Sequence, residues 1–160
     1  MKFSVKHIWL KGVGEKLRSP VNEQIDKLDL PEEIQGKTVE GEIVFTKLEE
    51  SILVNAKLIA RVVLICDRCL SNFDKTLRID LEREYNINRQ GRSEEGLYVD
   101  KYGDIFLDEP LREEVILAIP MKNLCTNTCA GICPNCGENM NKNKCQCKNS
   151  LKSKSNNSKS

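Results

Sequence analysis

The chain has 160 residues, 39% of them hydrophobic and 31% charged, with a formal net charge of +1. That length supports one domain, or one domain with a small appendage, around a modest core. It excludes a helical membrane span, because no apolar run nears the roughly 20 residues that one requires.

The small net charge hides an asymmetry. Residues 120–160 hold seven lysines and one acid, Glu138, a formal +6 that leaves −5 on residues 1–119. The bland reading is a solvated lysine-rich tail; the sharper one is a basic arm beside a metal module that touches RNA phosphates. Met1-Lys2-Phe3-Ser4-Val5-Lys6-His7 lacks the apolar stretch of a signal peptide. The chain is therefore expected in the cytoplasm, where thiols stay reduced.

In chain order, Phe3, Val5 and Ile8 read as the start of a strand ended by Gly12 and Gly14. Val21 to Leu30 reads as an irregular or weakly helical connection closed by Pro31, and Val39 to Lys47 as a strand with Ile43 and Phe45 on one face. Ile52, Val54, Ala56, Leu58, Ala60, Val62, Leu64 and Cys66 then occupy every second position. Such a period of two predicts a long strand with one wholly apolar face. The mixed face, from Leu53 to Ile65, is expected to be more deeply covered toward Cys66. Phe73, Leu77, Ile79, Leu81 and Tyr85 alternate with polar residues in a returning antiparallel strand, which places Cys66-Asp67-Arg68-Cys69 at the tip of a long hairpin. Residues 87–96 form a polar loop, and Lys101-Tyr102-Gly103-Asp104 a turn. A helix follows, with Asp108 as N-cap, Pro110 in its first turn, and a core stripe of Leu111, Val115, Ile116, Leu117 and Ile119 that Pro120 stops.

From residue 121 onward apolar residues almost vanish, so a metal must replace the hydrophobic core there. The predicted fold is α+β: an antiparallel sheet with a long β-hairpin and one C-terminal helix over residues 1–120. A small zinc-ribbon-like module of cysteines follows at 121–148, and a disordered basic tail at 149–160.

All eight cysteines fall in close pairs: Cys66/Cys69, Cys125/Cys129, Cys133/Cys136 and Cys145/Cys147. Two thiolates on one tight turn reach one ion with little loop-closure cost, and a second turn completes a closed tetrahedron. Eight ligands suit two such sites. In Cys133-Pro134-Asn135-Cys136-Gly137 the proline fixes the turn, and the glycine lets backbone amides face sulfur. One zinc is assigned to Cys133, Cys136, Cys145 and Cys147, and a second to Cys66, Cys69, Cys125 and Cys129. A competing partition joins Cys125/Cys129 to Cys133/Cys136 and Cys66/Cys69 to Cys145/Cys147. Disulfides, a redox dithiol and rubredoxin-type iron are the other readings of the same residues. Nothing resembles an active site: His7 has no nucleophile pattern around it, no glycine-rich phosphate loop is present, and Asp80, Glu82 and Glu84 lie on a solvated strand face.

Four segments carry a family resemblance. They are Cys66-Asp67-Arg68-Cys69-Leu70, Gly103-Asp104-Ile105-Phe106-Leu107, the run from Glu113 to Pro120, and Cys129-Ala130-Gly131-Ile132-Cys133-Pro134-Asn135-Cys136-Gly137-Glu138-Asn139-Met140-Asn141. Together, over roughly residues 1–147, the chain resembles the YceD family of bacteria and plastids, the large ribosomal RNA subunit accumulation proteins. The resemblance implies a role in accumulation or maturation of the large-subunit (23S) ribosomal RNA and no known enzymatic activity. The expected protein is a non-enzymatic ribosome-biogenesis factor bound to ribosomal RNA or an assembly intermediate, without a small-molecule substrate. The alternative is a zinc-stabilised adaptor that docks a ribosomal protein or RNA-processing enzyme.

Overall fold

In the computed structural model, residues 1–26, 28–87, 96–143, 145 and 147 are described. The expected tail at 149–160, residues 88–95 of the polar loop, Lys144 and Lys148 lie outside the described residues. The elements are β1 (Lys2–Ser4), α1 (Lys6–Trp9), β2 (Lys16–Gln24), β3 (Ile34–Lys47), β4 (Ser51–Ile65), β5 (Asn72–Asn86), β6 (Asp104–Phe106) and α2 (Asp108–Leu117). Strands β2-β3-β4-β5 form one sheet in that order, and β1 pairs antiparallel with β6 in a second. The architecture is mostly antiparallel sheet with little helix.

By contacts the chain divides into two compact units, each made of two stretches of sequence. Of the described residues, one comprises those of Met1–Val63 and Lys75–Pro120, the other Leu64–Asp74 with those from Met121 onward.

The first unit follows from the alternation in β4. Ile52, Val54, Ala56, Leu58, Ala60 and Val62 are at most 4% exposed, while Lys57 and Arg61 face solvent. Leu77, Ile79, Leu81 and Tyr85 of β5 and Ile43 and Phe45 of β3 are buried with them. Full burial of such a side chain contributes about 1.5–3 kcal/mol, so this shared apolar face dominates the stability of the unit. Phe3 of β1 packs its ring 5.6 Å from that of Phe45.

Several expectations are corrected. Val21–Gln24 belongs to β2, paired with β3 in a register from Lys16↔Thr46 to Gln24↔Thr38, and is neither irregular nor helical. β2 is a sheet edge, where the missing N–H of Pro20 is tolerated. β3 begins at Ile34, five residues before Val39. β1 ends at Ser4, and Ile8 sits in the one-turn helix α1, too short to leave a period in the sequence. In α2 the N-cap is Leu107, without a side-chain cap, and Asp108 lies in the first turn, where its charge suits the helix dipole. Pro110, Leu111 and Val115 are buried, but Leu117, at the end of the helix, is 75% exposed.

Tyr85 joins β5 to β6. Its ring is buried, burial pushes its phenol well above the usual range, and its hydroxyl donates to the Phe106 carbonyl at 2.8 Å. Tyr85→Phe keeps the packing and strands that carbonyl, so a loss of about 1–2 kcal/mol is expected. Thermal unfolding checks this, since each 1 kcal/mol moves the midpoint by about 2–4 °C in a chain of this size.

Candidate metal centre

Both clusters of thiols lie in the second unit, where Cys66, Cys69 and Cys129 form a buried cluster with Phe73, Leu124 and Cys125 packed against it. The structure brings Cys66, Cys69, Cys125 and Cys129 together, and separately Cys133, Cys136, Cys145 and Cys147. Within each group all four sulfurs lie within 4.8 Å of one another. This grouping of the sulfurs matches the first of the two partitions. None of the eight cysteines is disulfide-bonded.

The separations test the fit of a metal. Thiolates placed about 2.3 Å from a tetrahedral zinc stand roughly 3.8 Å apart. In the first group Cys66 and Cys129 Sγ are 3.8 Å apart, and Cys69 and Cys125 Sγ are 3.7 Å apart. In the second group, Cys136 to Cys145 is 3.5 Å and Cys133 to Cys145 is 3.3 Å. Each group could hold one metal ion, and the two separations in the first match those expected around a tetrahedral ion such as zinc. The two differ in cover: three of the first four cysteines are buried, whereas Cys136 of the second is exposed.

Local geometry explains why these turns present sulfur. Cys66 N–H bonds the Ser71 carbonyl at 3.0 Å, closing the hairpin, and Leu70 N–H bonds the Cys66 carbonyl at 2.9 Å. The second group repeats the motif, with Gly137 N–H on the Cys133 carbonyl at 2.8 Å. The residue after the second cysteine is left-handed in both turns, with φ of +73° at Gly137 and +56° at Leu70. Glycine adopts that conformation freely; leucine does not. Leu70 is also 64% exposed, so burial offsets little of the strain. Leu70→Gly is therefore expected to leave metal content intact and to stabilise the second unit by up to about 1 kcal/mol. A chelator midpoint unchanged or lowered in the variant argues against strain at this turn.

The hairpin tip is tied to the segment bearing Cys125 and Cys129. Asp67 N–H bonds the Asn123 carbonyl at 2.8 Å, and Asn123 N–H bonds Asp67 Oδ2 at 2.7 Å. Arg68 Nη1 donates to the Cys129 carbonyl at 3.1 Å, and Ile132 N–H bonds the Arg68 carbonyl at 3.1 Å. Sulfur receives donors as well. Cys125 N–H points at Cys66 Sγ at 3.4 Å, and Asn141 Nδ2 at Cys129 Sγ at 3.3 Å.

The thiols are poised unequally. Burial raises the pKa of Cys66, but the amides of Cys125, Cys69 and Arg68 outweigh it and hold the thiol down to about 6. Burial and the neighbouring thiols push Cys125 up to about 12. In the second group the amides of Asn135 and Cys136 hold Cys133 at about 6. The Cys147 amide favours the Cys145 thiolate, yet the thiols of Cys133, Cys147 and Cys136 together drive it up to about 12. Four sulfurs this close cannot all ionise unless a cation shares the site, and a divalent metal supplies that charge.

Asp67, Arg68, Leu70, Asn139 and Asn141 were not foreseen as supports of the first group. Outer contacts to a metal site follow no fixed spacing, and the one signal was the Asn139-Met140-Asn141 run that follows the second knuckle. His7 is exposed on α1, away from both groups in the chain, and no helix among the described residues is long and apolar enough to cross a membrane.

The profile of the family described as "Large ribosomal RNA subunit accumulation protein YceD" matches residues 54–157, which include all eight cysteines. Similar relatives include a protein of Mycobacterium bovis and two from strains of Mycobacterium tuberculosis, each named only as an uncharacterised protein. Each is 28% identical over 109 residues, covering 64% of this chain and 52% of the relative. The chain thus spans about half the length of these relatives. No solved structure matches.

Proposed function

The chain belongs to the YceD family, and on that premise we propose that it is a non-enzymatic factor supporting accumulation of the large-subunit ribosomal RNA. The family match carries the reading, and the two four-cysteine groups give it physical form. Closed tetrathiolate sites have no open coordination position, so zinc in them shapes a surface and does not activate water. The second unit, with a zinc-ribbon-like pair of knuckles, is the element that meets ribosomal RNA or an assembly intermediate. Its lysines favour that partner: residues 120–160 carry a formal +6, against which each zinc tetrathiolate would set about −2. Work in the cytoplasm keeps the thiols reduced and metal-competent.

Depletion of the protein, followed by sucrose-gradient profiles and quantification of ribosomal RNA, tests this. A deficit of large subunits and of 23S RNA, restored by the intact chain, is expected. Normal large-subunit RNA in depleted cells refutes the reading.

A further inference from the structure

We propose that the two four-cysteine sites take up metal cooperatively, coupled through the side chains of Asn139 and Asn141. The inference rests on the reading that both groups bind metal.

The second knuckle is followed by a short return of the chain. Cys133 N–H bonds the Glu138 carbonyl at 2.8 Å, Ile132 and Asn139 form an antiparallel bridge, and Met140 N–H bonds the Gly131 carbonyl at 2.9 Å. This return delivers two amides to the first site. Asn139 Nδ2 donates to Ser71 Oγ on the hairpin tip at 2.9 Å. Its Oδ1 accepts from both the backbone N–H and Nδ2 of Asn141, each at 2.9 Å. Asn141 Oδ1 accepts from Ala130 N–H at 2.8 Å, and Nδ2 reaches Cys129 Sγ at 3.3 Å. The Asn141 amide is thereby held at both ends, with one N–H aimed at a sulfur of the first group.

That donor matters because four thiolates around a dication leave a net negative site, and a hydrogen bond to one thiolate stabilises it. What holds the donor in place is the second knuckle. Along residues 130–143 the only large apolar side chains are Ile132, which is 38% exposed, and Met140, too little to order the segment alone. Metal at Cys133, Cys136, Cys145 and Cys147 orders the return, and the return completes the outer shell of Cys129. Removing such an outer partner typically costs 10–100-fold in metal affinity. By linkage, metal in the first site must favour the second by the same factor.

Cobalt(II) titration of the reduced full-length chain tests this, with the sulfur-to-cobalt charge-transfer band as signal and alkylation mass spectrometry to assign protected cysteines. The intact chain should bind two ions; binding of none would refute the metal reading itself, and the coupling with it. In Cys136→Ser/Cys145→Ser, first-site affinity should fall about 10–100-fold, and Asn141→Ala alone should reproduce the fall and shift the first-site band. Adding Asn141→Ala to the double variant should change affinity less than twofold further. Cys69→Ser/Cys125→Ser should weaken the second site by the same factor. If the double variant binds no cobalt, Asn141→Ala, with all eight thiols present, decides. Two bound ions with first-site affinity within twofold of the intact chain would overturn the coupling.

Discussion

Cys66→Ser is expected to reduce bound zinc from two ions to one and to leave the second unit without a stable interior. Cys66 is fully buried, receives the Cys125 amide, and stands 3.8 Å from Cys129 Sγ. Serine at this position supplies a poor ligand and a buried hydroxyl. The consequence is large because the ligands themselves are the core: Cys66, Cys69 and Cys129, lined by Phe73, Leu124 and Cys125. Burial of two such apolar side chains yields a few kcal/mol, whereas ordering each residue of the segment costs about 1–2 kcal/mol. A structural zinc contributes apparent free energies of about 10–16 kcal/mol in small modules, enough to reverse that balance. Native mass spectrometry reads the stoichiometry, and hydrogen exchange reads the structure. Chelation of the intact protein should deprotect amides over 121–143 while β4 residues 52–62 stay protected. Full protection after chelation would mean that the thiols pack as a dry cluster needing no ion.

Acid should do what the chelator does. Bound thiolates carry no protons, whereas a free thiol, with a pKa of about 8.5, is mostly protonated near neutrality and must release its proton on binding. Affinity therefore rises with pH throughout the neutral range and falls on acidification.

Much of this site was legible because close cysteine pairing reports directly on a local turn, and the period of two in β4 and β5 places one pair at a hairpin tip. Which pairs meet was harder, since it depends on the long-range bonds of Asp67 and Arg68 to Asn123 and Cys129, which leave no period. The expected cover over the mixed face of β4 near Cys66 is absent: Ile65 is 39% exposed. β2 was missed because an edge strand buries little. Of its nine residues only Val21 is buried, so the alternation that marks β4 is too weak to read. Leu70 was missed for a different reason. The sequence rule for a knuckle expects glycine, and here leucine accepts the strained conformation.

A second large effect is expected far from the cysteines in sequence, at Gly41. In β3 this residue has φ of +151° and faces Val21 across the β2–β3 ladder. A Cβ added there would lie 2.2 Å from the Lys57 carbonyl oxygen, 2.9 Å from Leu58 Cδ2 and 3.0 Å from Leu58 Cα. Two of those contacts are backbone atoms of β4, which cannot rotate aside, so β3 and β4 must separate or β3 must change its backbone angle. Glycine inside a strand is the usual mark of such a close approach. A forbidden backbone angle and overpacking each cost about 1–3 kcal/mol, so Gly41→Ala should destabilise the first unit by about 3 kcal/mol. The melting midpoint should fall by roughly 6–12 °C. Gly12→Ala is the matched control, because nothing lies within 4 Å of its added Cβ and its φ is unremarkable; it should change stability by less than about 0.5 kcal/mol. Metal content should remain at two ions in both variants, since neither glycine belongs to the unit that carries the thiols. Equal midpoints for the two variants would show that the strands do not approach as closely as the Gly41 geometry requires.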